Sequence, residues 1–382
     1  MEDFMRRSTL CFASAVVMAI VLGAIGRAQE VRKIDVSKLG PQVGATVPDF
    51  TLPDQHGKPR TLQSVMGTKG AMIVFYRSAD WCPYCKTQLL ELQSQYDSLR
   101  KDGLGLVGIS YDSQEILAAF SEQHGITFPL LSDVGSATIT RYGILNTVAE
   151  EGLGPNGKDP DVIARVKLYV SANGANERQR GIPFPGTFIV DRSGRVKARF
   201  FEDSYTVRNT VSNIRVRLND MNPAVPATSI ASKNLDVIAY PSDASVAPGN
   251  RFSLVARVTP RNGVHVYAPG AGNYKIIDLK VVPGQYIRPT RTKYPPSEVY
   301  FFKPLNEKVP TYQKPFTLTQ EVVLDASARE VTSKQTSLTI GGALTYQACD
   351  DRLCYDPVTL PLSWTVGLKP IVTEATVRPA TK

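Results

Sequence analysis

The sequence predicts an α/β domain followed by an all-β sandwich. Residues 71–76, AMIVFY, form a continuous apolar run of the kind buried on both faces of a sheet, and helix-like and strand-like patterns alternate after it. Residues 221–228, MNPAVPAT, are small and Pro-punctuated, with nothing to bury, and read as a linker. Beyond them come short β-branched runs separated by Pro, Gly and Asn turns, with no helical pattern between. A length of 382 residues fits two domains of roughly 100 to 200 residues each.

Taken in order, residues 1–28 carry a basic pair, Arg6 and Arg7, then sixteen apolar-type positions (10–25), then Gly26-Arg27-Ala28 with small residues where a signal peptidase reads. That is the pattern of a secretory signal. The apolar stretch is shorter than the roughly 20 residues that span a bilayer, which makes an uncleaved anchor the second reading. Export to an oxidising compartment such as the periplasm is therefore expected. The mature chain then holds Cys82, Cys85, Cys349 and Cys354, two close pairs where disulfides persist.

The predicted α/β domain spans residues 29–220. Strand 71–76 is followed by a helix in which Leu89, Leu92, Tyr96 and Leu99 recur at helical spacing, then by strand 104–110 and a second helix capped by Asp112-Ser113 and closed at Gly125. This order implies parallel pairing with helices on both faces. Residues 146–183 read as an insertion, helical around 161–169. Strand 187–190, the turn at 191–194 and strand 195–201 make a hairpin, and 204–219 reads as a terminal helix. After a linker at 221–230, strands are expected at 235–240, 251–259, 264–267, 274–282, 316–324, 337–340 and 360–366, within a sandwich domain of 231–370 and ahead of a tail at 371–382.

The chain carries 44 Lys+Arg against 35 Asp+Glu. The densest basic stretch, 192–217, is interrupted by Glu202 and Asp203 and reads as a solvated face, so nucleic acid is not an expected partner.

Cys82 and Cys85 lie in Trp81-Cys82-Pro83-Tyr84-Cys85, directly after the apolar strand and at the start of a helix. Backbone N–H groups and the positive end of the helix dipole stabilise a thiolate there. Cys82 should therefore be an acidic, exposed nucleophile, and Cys85, one turn in, the residue that closes the disulfide. As a staple the bridge is poor, since so small a ring restrains the unfolded chain by only about 2 kcal/mol. A zinc site would need a second nearby pair, yet Cys349 lies far along the chain. No metal and no other cofactor is expected.

Here the chain resembles the thioredoxin-like superfamily, and more narrowly the alkyl hydroperoxide reductase and thiol-specific antioxidant redoxins. The likeness runs from about residue 48 to 219 and rests on VPDFTLPD (47–54), the WCPYC motif and PFPGTFIVD (183–191). It implies a thioredoxin-like fold and makes Pro185 the cis proline facing the cysteine pair. Three departures stand out. The position where peroxiredoxins place a hydroxyl, three before the peroxide-attacking Cys, is Ala79. The strand 186–188 offers no Arg, and the site of the buried Asp of thioredoxins is Tyr76. The first two weaken peroxide activation, and the third leaves the proton route of Cys85 unassigned.

Cys349 and Cys354 lie in YQACDDRLCYDP (346–357). Spacing alone is compatible with a fixed hairpin disulfide. The motif, however, resembles the periplasmic N-terminal domain of DsbD-type reductases, an immunoglobulin-like module, over about residues 231–367. That likeness implies that Cys354 attacks a target disulfide and Cys349 resolves. The membrane-spanning and C-terminal thioredoxin portions of DsbD are absent, so reducing equivalents would come from another protein.

The sequence thus predicts an exported thiol-disulfide oxidoreductase, an α/β thioredoxin-like domain ahead of an immunoglobulin-like sandwich. Cys82–Cys85 and Cys349–Cys354 would exchange electrons with each other through an interdomain mixed disulfide, with a protein disulfide as substrate and a membrane thiol donor as partner. The alternatives are a thiol peroxidase acting on hydroperoxide, with the sandwich as built-in reductant, and a non-catalytic secreted binding protein with fixed disulfides.

Overall fold

A computed structural model describes residues 32–220, 225–302 and 306–377. The expected leader at 1–28 lies outside these residues. Among them, no helix is long and apolar enough to cross a membrane.

The first domain opens with a small hairpin, β1 (Thr51–Pro53) and β2 (Pro59–Thr61). Its centre is β3 (Gly70–Phe75), buried at every position. β3 pairs in parallel with β4 (Leu104–Ser110), which pairs in parallel with β5 (Leu130–Ser132). On its other side β3 pairs antiparallel with β6 (Gly186–Val190), and β7 (Val196–Phe201) closes that edge. Because side chains alternate along a strand, Met72 and Val74 face Leu89, Leu92 and Phe120, while Ala71, Ile73 and Phe75 face Ile139, Tyr142 and Phe188. Both faces are covered, which is why the run reads as continuously apolar. The helices α1 (Pro83–Lys101) and α2 (Gln114–His124) fall where their periodicity placed them, and α2 ends on left-handed Gly125. Asp112 does not cap α2. Ser113 takes that position, and the Asp112 carboxylate turns to the loop after β3.

After a short helix, α3 (Ala137–Arg141), the insertion folds as two helices, α4 (Thr147–Leu153) and α5 (Pro160–Tyr169), capped by Asn146 and Asp159. They enclose a small core of Val148, Val162, Val166, Tyr169 and Phe184, with Trp81 packed against it. α4 was not legible, since Glu150, Glu151 and Gly152 blur its period.

The expected helix over 204–219 is a strand and a shorter helix: β8 (Arg208–Asn209), then α6 (Val211–Arg217), capped by the Thr210 hydroxyl. The reason is tertiary. The second domain begins with β9 (Thr228–Ala231), β10 (Leu235–Pro241), β11 (Ser245–Val246) and β12 (Asn250–Pro260). β10 pairs with β12 only as far as Leu254, and β8 takes the same edge at Asn250 and Arg251. The first domain thus lends the sandwich a strand. The linker read at 221–230 is shorter than expected, because 228–231 is β9.

The remaining strands are β13 (His265–Tyr267), β14 (Asp278–Val281), β15 (Ile287–Lys293), β16 (Glu298–Phe302), β17 (Glu307–Tyr312) and β18 (Phe316–Leu324). After α7 (Arg329–Thr332) come β19 (Ser337–Tyr346), β20 (Ala348–Cys349) and β21 (Val358–Leu368). One sheet runs β15-β18-β12-β10-β9, a second β11-β21-β19-β14, and a third, smaller one β16-β17-β13-β20. Phe252, Leu254, Leu318 and Val322 of the first pack against Ile340, Leu344, Leu362 and Trp364 of the second, and the Trp364 indole donates to Val255 O at 3.1 Å. β15 and β16 give no clear strand pattern because their side chains are largely exposed, and Pro289 and Pro310 interrupt β15 and β17.

Two consequences concern the cysteines. The Asn250 end of β12 meets the first domain, and its eleven residues run roughly 36 Å to Pro260. Cys349 pairs with His265, just beyond Pro260, and Tyr346 reaches Ser232 beside Leu235, the partner of Pro260. The two cysteine pairs therefore occupy opposite ends of the sandwich, and the expected direct exchange between them has no path in this arrangement. Second, the stretch expected to be a free tail returns to the first domain. Val372 N donates to the Thr87 hydroxyl, Lys86 Nζ donates to Glu374 O, and the Thr376 hydroxyl donates to Ala79 O at 2.8 Å.

Candidate functional site

The loop leaving β3 delivers Cys82 as the N-cap of α1, and Pro83 follows at the first helical position, where its missing N–H has no helical partner to lose. Cys85 N donates to Cys82 Sγ at 3.3 Å, and Cys82 and Cys85 are joined as a disulfide. The helix thus aims a backbone donor at the sulfur, as its terminal geometry requires.

Exposure is where expectation fails. Cys82 is 1% accessible and Cys85 0%, so Cys82 is no exposed nucleophile here. Tyr84 and Tyr205 meet edge to face over the site, Arg329 of the sandwich lies 4.8 Å above the Tyr84 ring, and Gly249 of the sandwich packs on Tyr84. The second domain thus packs on the first turn of α1, beside the pair.

Two guanidinium groups are buried beside the pair. Arg208 is 4% exposed, and its Nη2 lies 3.2 Å from Cys85 Sγ and 4.0 Å from Cys82 Sγ. Its Nη1 donates to Tyr205 O and Val207 O. Burial, and next the neighbouring Arg77, push its pKa down to about 9, and Glu202 opposes this. Arg77 lies between the Trp81 and Tyr205 rings, at 4.8 and 5.0 Å, and donates to Val170 O at 2.6 Å. Burial lowers it to about 10. The Glu202 carboxylate, the acid that acts on Arg208, is held by Arg251 of the sandwich in a two-pronged ion pair at 2.7 and 2.8 Å.

Neither arginine was singled out from sequence. Arg208 lay in the basic stretch 192–217 that reads as a solvated face, and only the pairing of β8 with β12 reveals that it points inward. Arg77 offered a weak signal, a charge directly after the apolar strand.

Asp112 organises the loop. Its carboxylate accepts from Ala79 N at 2.7 Å, from the Ser78 hydroxyl at 2.8 Å and from the Ser110 hydroxyl at 2.9 Å. Burial raises it to about 6 in spite of these bonds. The Ser78 hydroxyl is thereby committed, so the loop supplies no free hydroxyl to replace the one missing at Ala79.

Pro185 is buried and adjoins β6, but its peptide bond is trans, as are all those among the described residues. The cis assignment is therefore corrected. The chain enters β6 extended, with Leu145 bridged to Pro183 and Phe184 N donating to Ile144 O at 2.7 Å. Gly186 explains the lack of an arginine at that point in the strand, because a Cβ there would stand 2.3 Å from the Phe201 ring.

At the far end of the sandwich Cys349 and Cys354 form the second disulfide. Cys349 is fully buried and Cys354 half-buried. The Tyr267 hydroxyl lies 3.1 Å from Cys349 Sγ and 3.4 Å from Cys354 Sγ. Tyr267 stacks on Tyr274, whose hydroxyl donates to Glu307 at 2.8 Å. Burial, with Tyr274 and Glu307 adding to it, pushes Tyr267 up to about 12, so it stays a donor at neutral pH. The His265 ring lies 4.3 Å from the Tyr300 ring, tilted by 35°, and burial lowers its pKa. Asp350 accepts from Arg352 N, Leu353 N and the Tyr355 hydroxyl, which fixes the loop between the cysteines. Tyr267 was not anticipated from sequence.

Comparison with known proteins bears on both sites. Residues 43–199 match the AhpC/TSA family, and residues 237–361 match the family of thiol:disulfide interchange protein DsbD, N-terminal. Peroxiredoxin Bcp of Escherichia coli strain K12 is 32% identical over 136 residues, 36% of this chain and 83% of that protein. Alkyl hydroperoxide reductase E of Mycobacterium tuberculosis strain H37Rv is 31% identical over 157 residues, 41% of this chain and 82% of that protein. Chloroplastic peroxiredoxin Q of Sedum lineare is 37% identical over 101 residues, 26% of this chain, which spans only 53% of that relative. Among solved structures, peroxidoxin BcpB from Mycobacterium tuberculosis aligns at 23% identity over 43% of this chain and 89% of its own, with a TM-score of 0.33.

Proposed function

This chain belongs to the AhpC/TSA family, the peroxiredoxins, and from that premise we propose that it is a thiol-disulfide oxidoreductase in which Cys82–Cys85 exchanges two electrons with a partner protein. The observation that carries this reading is Cys82 at the N-cap of α1, bonded to Cys85 one turn in. A thiolate of the donor attacks Cys82 Sγ, the Cys82–Cys85 bond breaks, and Cys85 leaves with the electron pair. A second donor thiolate then attacks the donor sulfur of the mixed disulfide and frees Cys82, so two donor thiols are oxidised and one disulfide is reduced. The reverse sequence passes the electrons to an acceptor disulfide. In that reverse direction Cys82 is the attacking sulfur, because the helix terminus stabilises its thiolate.

The Cys349–Cys354 pair serves as a second exchange site, with Cys354 the reachable sulfur and the Tyr267 hydroxyl bonding to it. Lying at the opposite end of the sandwich, it takes electrons from a separate thiol donor, and passes them to Cys82 of another molecule or after the domains part. The leader-like residues 1–28 support an exported protein, and the donor proposed for it is a membrane-bound thiol protein.

A second reading is reduction of hydroperoxide, favoured by relatives at 31–32% identity that are peroxiredoxins and alkyl hydroperoxide reductases. Cys82 thiolate would attack the peroxide oxygen, release an alcohol or water and become a sulfenic acid, and Cys85 thiolate would close the disulfide with loss of hydroxide. Ala79 and the committed Ser78 hydroxyl weigh against fast turnover.

Reduced protein mixed with a disulfide substrate and, separately, with hydrogen peroxide in stopped flow tests both. The first reading requires rates on disulfide well above those of free cysteine, lost in Cys82→Ser. A fast peroxide phase with slow disulfide exchange would replace it by the second.

A further inference from the structure

The inner cysteine of such a pair has to leave as a thiolate while buried, and a buried anion without a counter-charge is expensive. The position where thioredoxins keep a buried Asp is Tyr76, so no carboxylate there manages the charge of Cys85. What touches Cys85 Sγ is Arg208 Nη2, at 3.2 Å, closer than the same atom lies to Cys82. The order of these distances matters, because a cation serving the attacking sulfur would sit on Cys82.

Arg208 owes its place to the other domain. Its strand, β8, pairs with Asn250 and Arg251 of β12, and Arg208 N donates to Gly249 O at 2.9 Å. The neighbouring residue, Asn209, donates to Glu202, the carboxylate whose field acts on Arg208. That carboxylate is already taken by Arg251 of the sandwich. The sandwich therefore does two things at once. It fixes the backbone that aims the guanidinium at sulfur, and it neutralises the acid that would otherwise draw the guanidinium away.

We propose that Arg208 is a catalytic residue, the counter-ion that receives Cys85 as a leaving thiolate, and that docking of the sandwich sets the redox poise of the Cys82–Cys85 pair through the Glu202–Arg251 ion pair. This rests on the exchange reading above. When a donor thiolate attacks Cys82 Sγ, the electron pair of the broken S–S bond settles on Cys85 Sγ beside Arg208, and no proton need arrive in the same step. The reduced pair is stabilised relative to the disulfide, so the docked protein is the more oxidising. If the sandwich moves off, Glu202 is released to pair with Arg208 and the poise shifts toward the reducing side. Arg251 and Glu202 touch neither sulfur and act as positioning residues.

The test measures the equilibrium constant for disulfide formation in glutathione buffers, using the full chain with Cys349→Ser and Cys354→Ser so that one pair reports. Arg208→Gln is expected to raise that constant at least tenfold, equivalent to a potential about 30 mV more negative. Arg208→Lys, which keeps the charge, stays within threefold of the parent. Arg251→Gln raises the constant about threefold, and adding Glu202→Gln restores it, a reversal that general loosening of the interface would not produce. Should Arg208→Gln fail to fold, the Arg251 and Glu202 variants read the same constant. An Arg208→Gln value within twofold of the parent overturns the counter-ion, and an unmoved Arg251→Gln overturns the domain coupling. Both outcomes are independent of turnover. Normal exchange activity with unmoved constants sinks this inference alone, whereas shifted constants in a protein that exchanges with no disulfide substrate sink the function and leave the electrostatics standing.

Discussion

Gly249 of the sandwich and Tyr84 of α1 meet so closely that a Cβ on Gly249 would stand 2.9 Å from the Tyr84 ring and 2.3 Å from Thr206 O, at a backbone φ of +92°. Glycine alone meets both demands, since any side chain would be strained there as well as crowded. Replacing Gly249 by Val should therefore push the sandwich off Tyr84. Alkylation of Cys82 in the reduced protein is expected to accelerate by about tenfold, the equivalent of about 1.4 kcal/mol of docking energy. An unchanged rate would mean that another element forms the cover.

A second prediction concerns pH. Glu91 on α1 accepts from Val211 N at 3.0 Å, and burial, followed by the charge of Asp243, pushes it up to about 8. Asp243, from the sandwich, is raised by burial to about 6 although Ser242 and Thr210 donate to it, and Lys369 opposes both shifts. Both acids are protonated more readily in the folded protein than in the unfolded chain. Their contribution is whole below the ordinary carboxylate range and is lost as pH rises through 6 and then 8. Glu91→Gln keeps an acceptor for Val211 N and removes the upper part of that loss. Calorimetry should find the variant more stable than the parent at pH 9, by on the order of 2 kcal/mol, and no more stable at pH 4.

At the second site, Tyr267→Phe removes a hydroxyl that reaches both sulfurs. A hydrogen bond to a charged partner contributes about 1.5–3 kcal/mol, and here it favours the thiolate. With Cys82 and Cys85 replaced by Ser, the variant should show a disulfide-formation constant at least tenfold higher in glutathione buffers. Circular dichroism should be unchanged, because the ring still stacks on Tyr274.

Removal of residues 371–382 should uncover the first turn of α1. Thr376 and Glu374 both bond to the loop-helix junction that carries Cys82. Reaction of the oxidised pair with dithiothreitol is expected to speed up several-fold, at little cost in melting temperature, since both cores lie elsewhere. Equal rates would show that this segment does not guard the site.

How far the sequence could be read depended on where each signal came from. β3 and α1, and with them Cys82 and Cys85, were legible because an apolar run and a helical period are local properties. Arg208 was not, for its meaning depends on an edge of β12 that β10 leaves free, 42 residues further on. The same edge turned part of an expected helix into β8. Exposure of Cys82 was misjudged for a related reason: a helix N-terminus is open in isolation, and segments remote in sequence pack over it here. The trans peptide at Pro185 shows the limit of likeness, since the motif around it is present and the bond geometry is not.

The exchange of segments is reciprocal, β8 passing into the sandwich and residues 372–377 passing back over α1. A protease nick in the connector would therefore leave two fragments still clasped, eluting together under native conditions. Expressing either half alone would strip the sandwich of an edge strand or the helix of its wrapping. The two halves are better regarded as one cooperative body than as beads on a string.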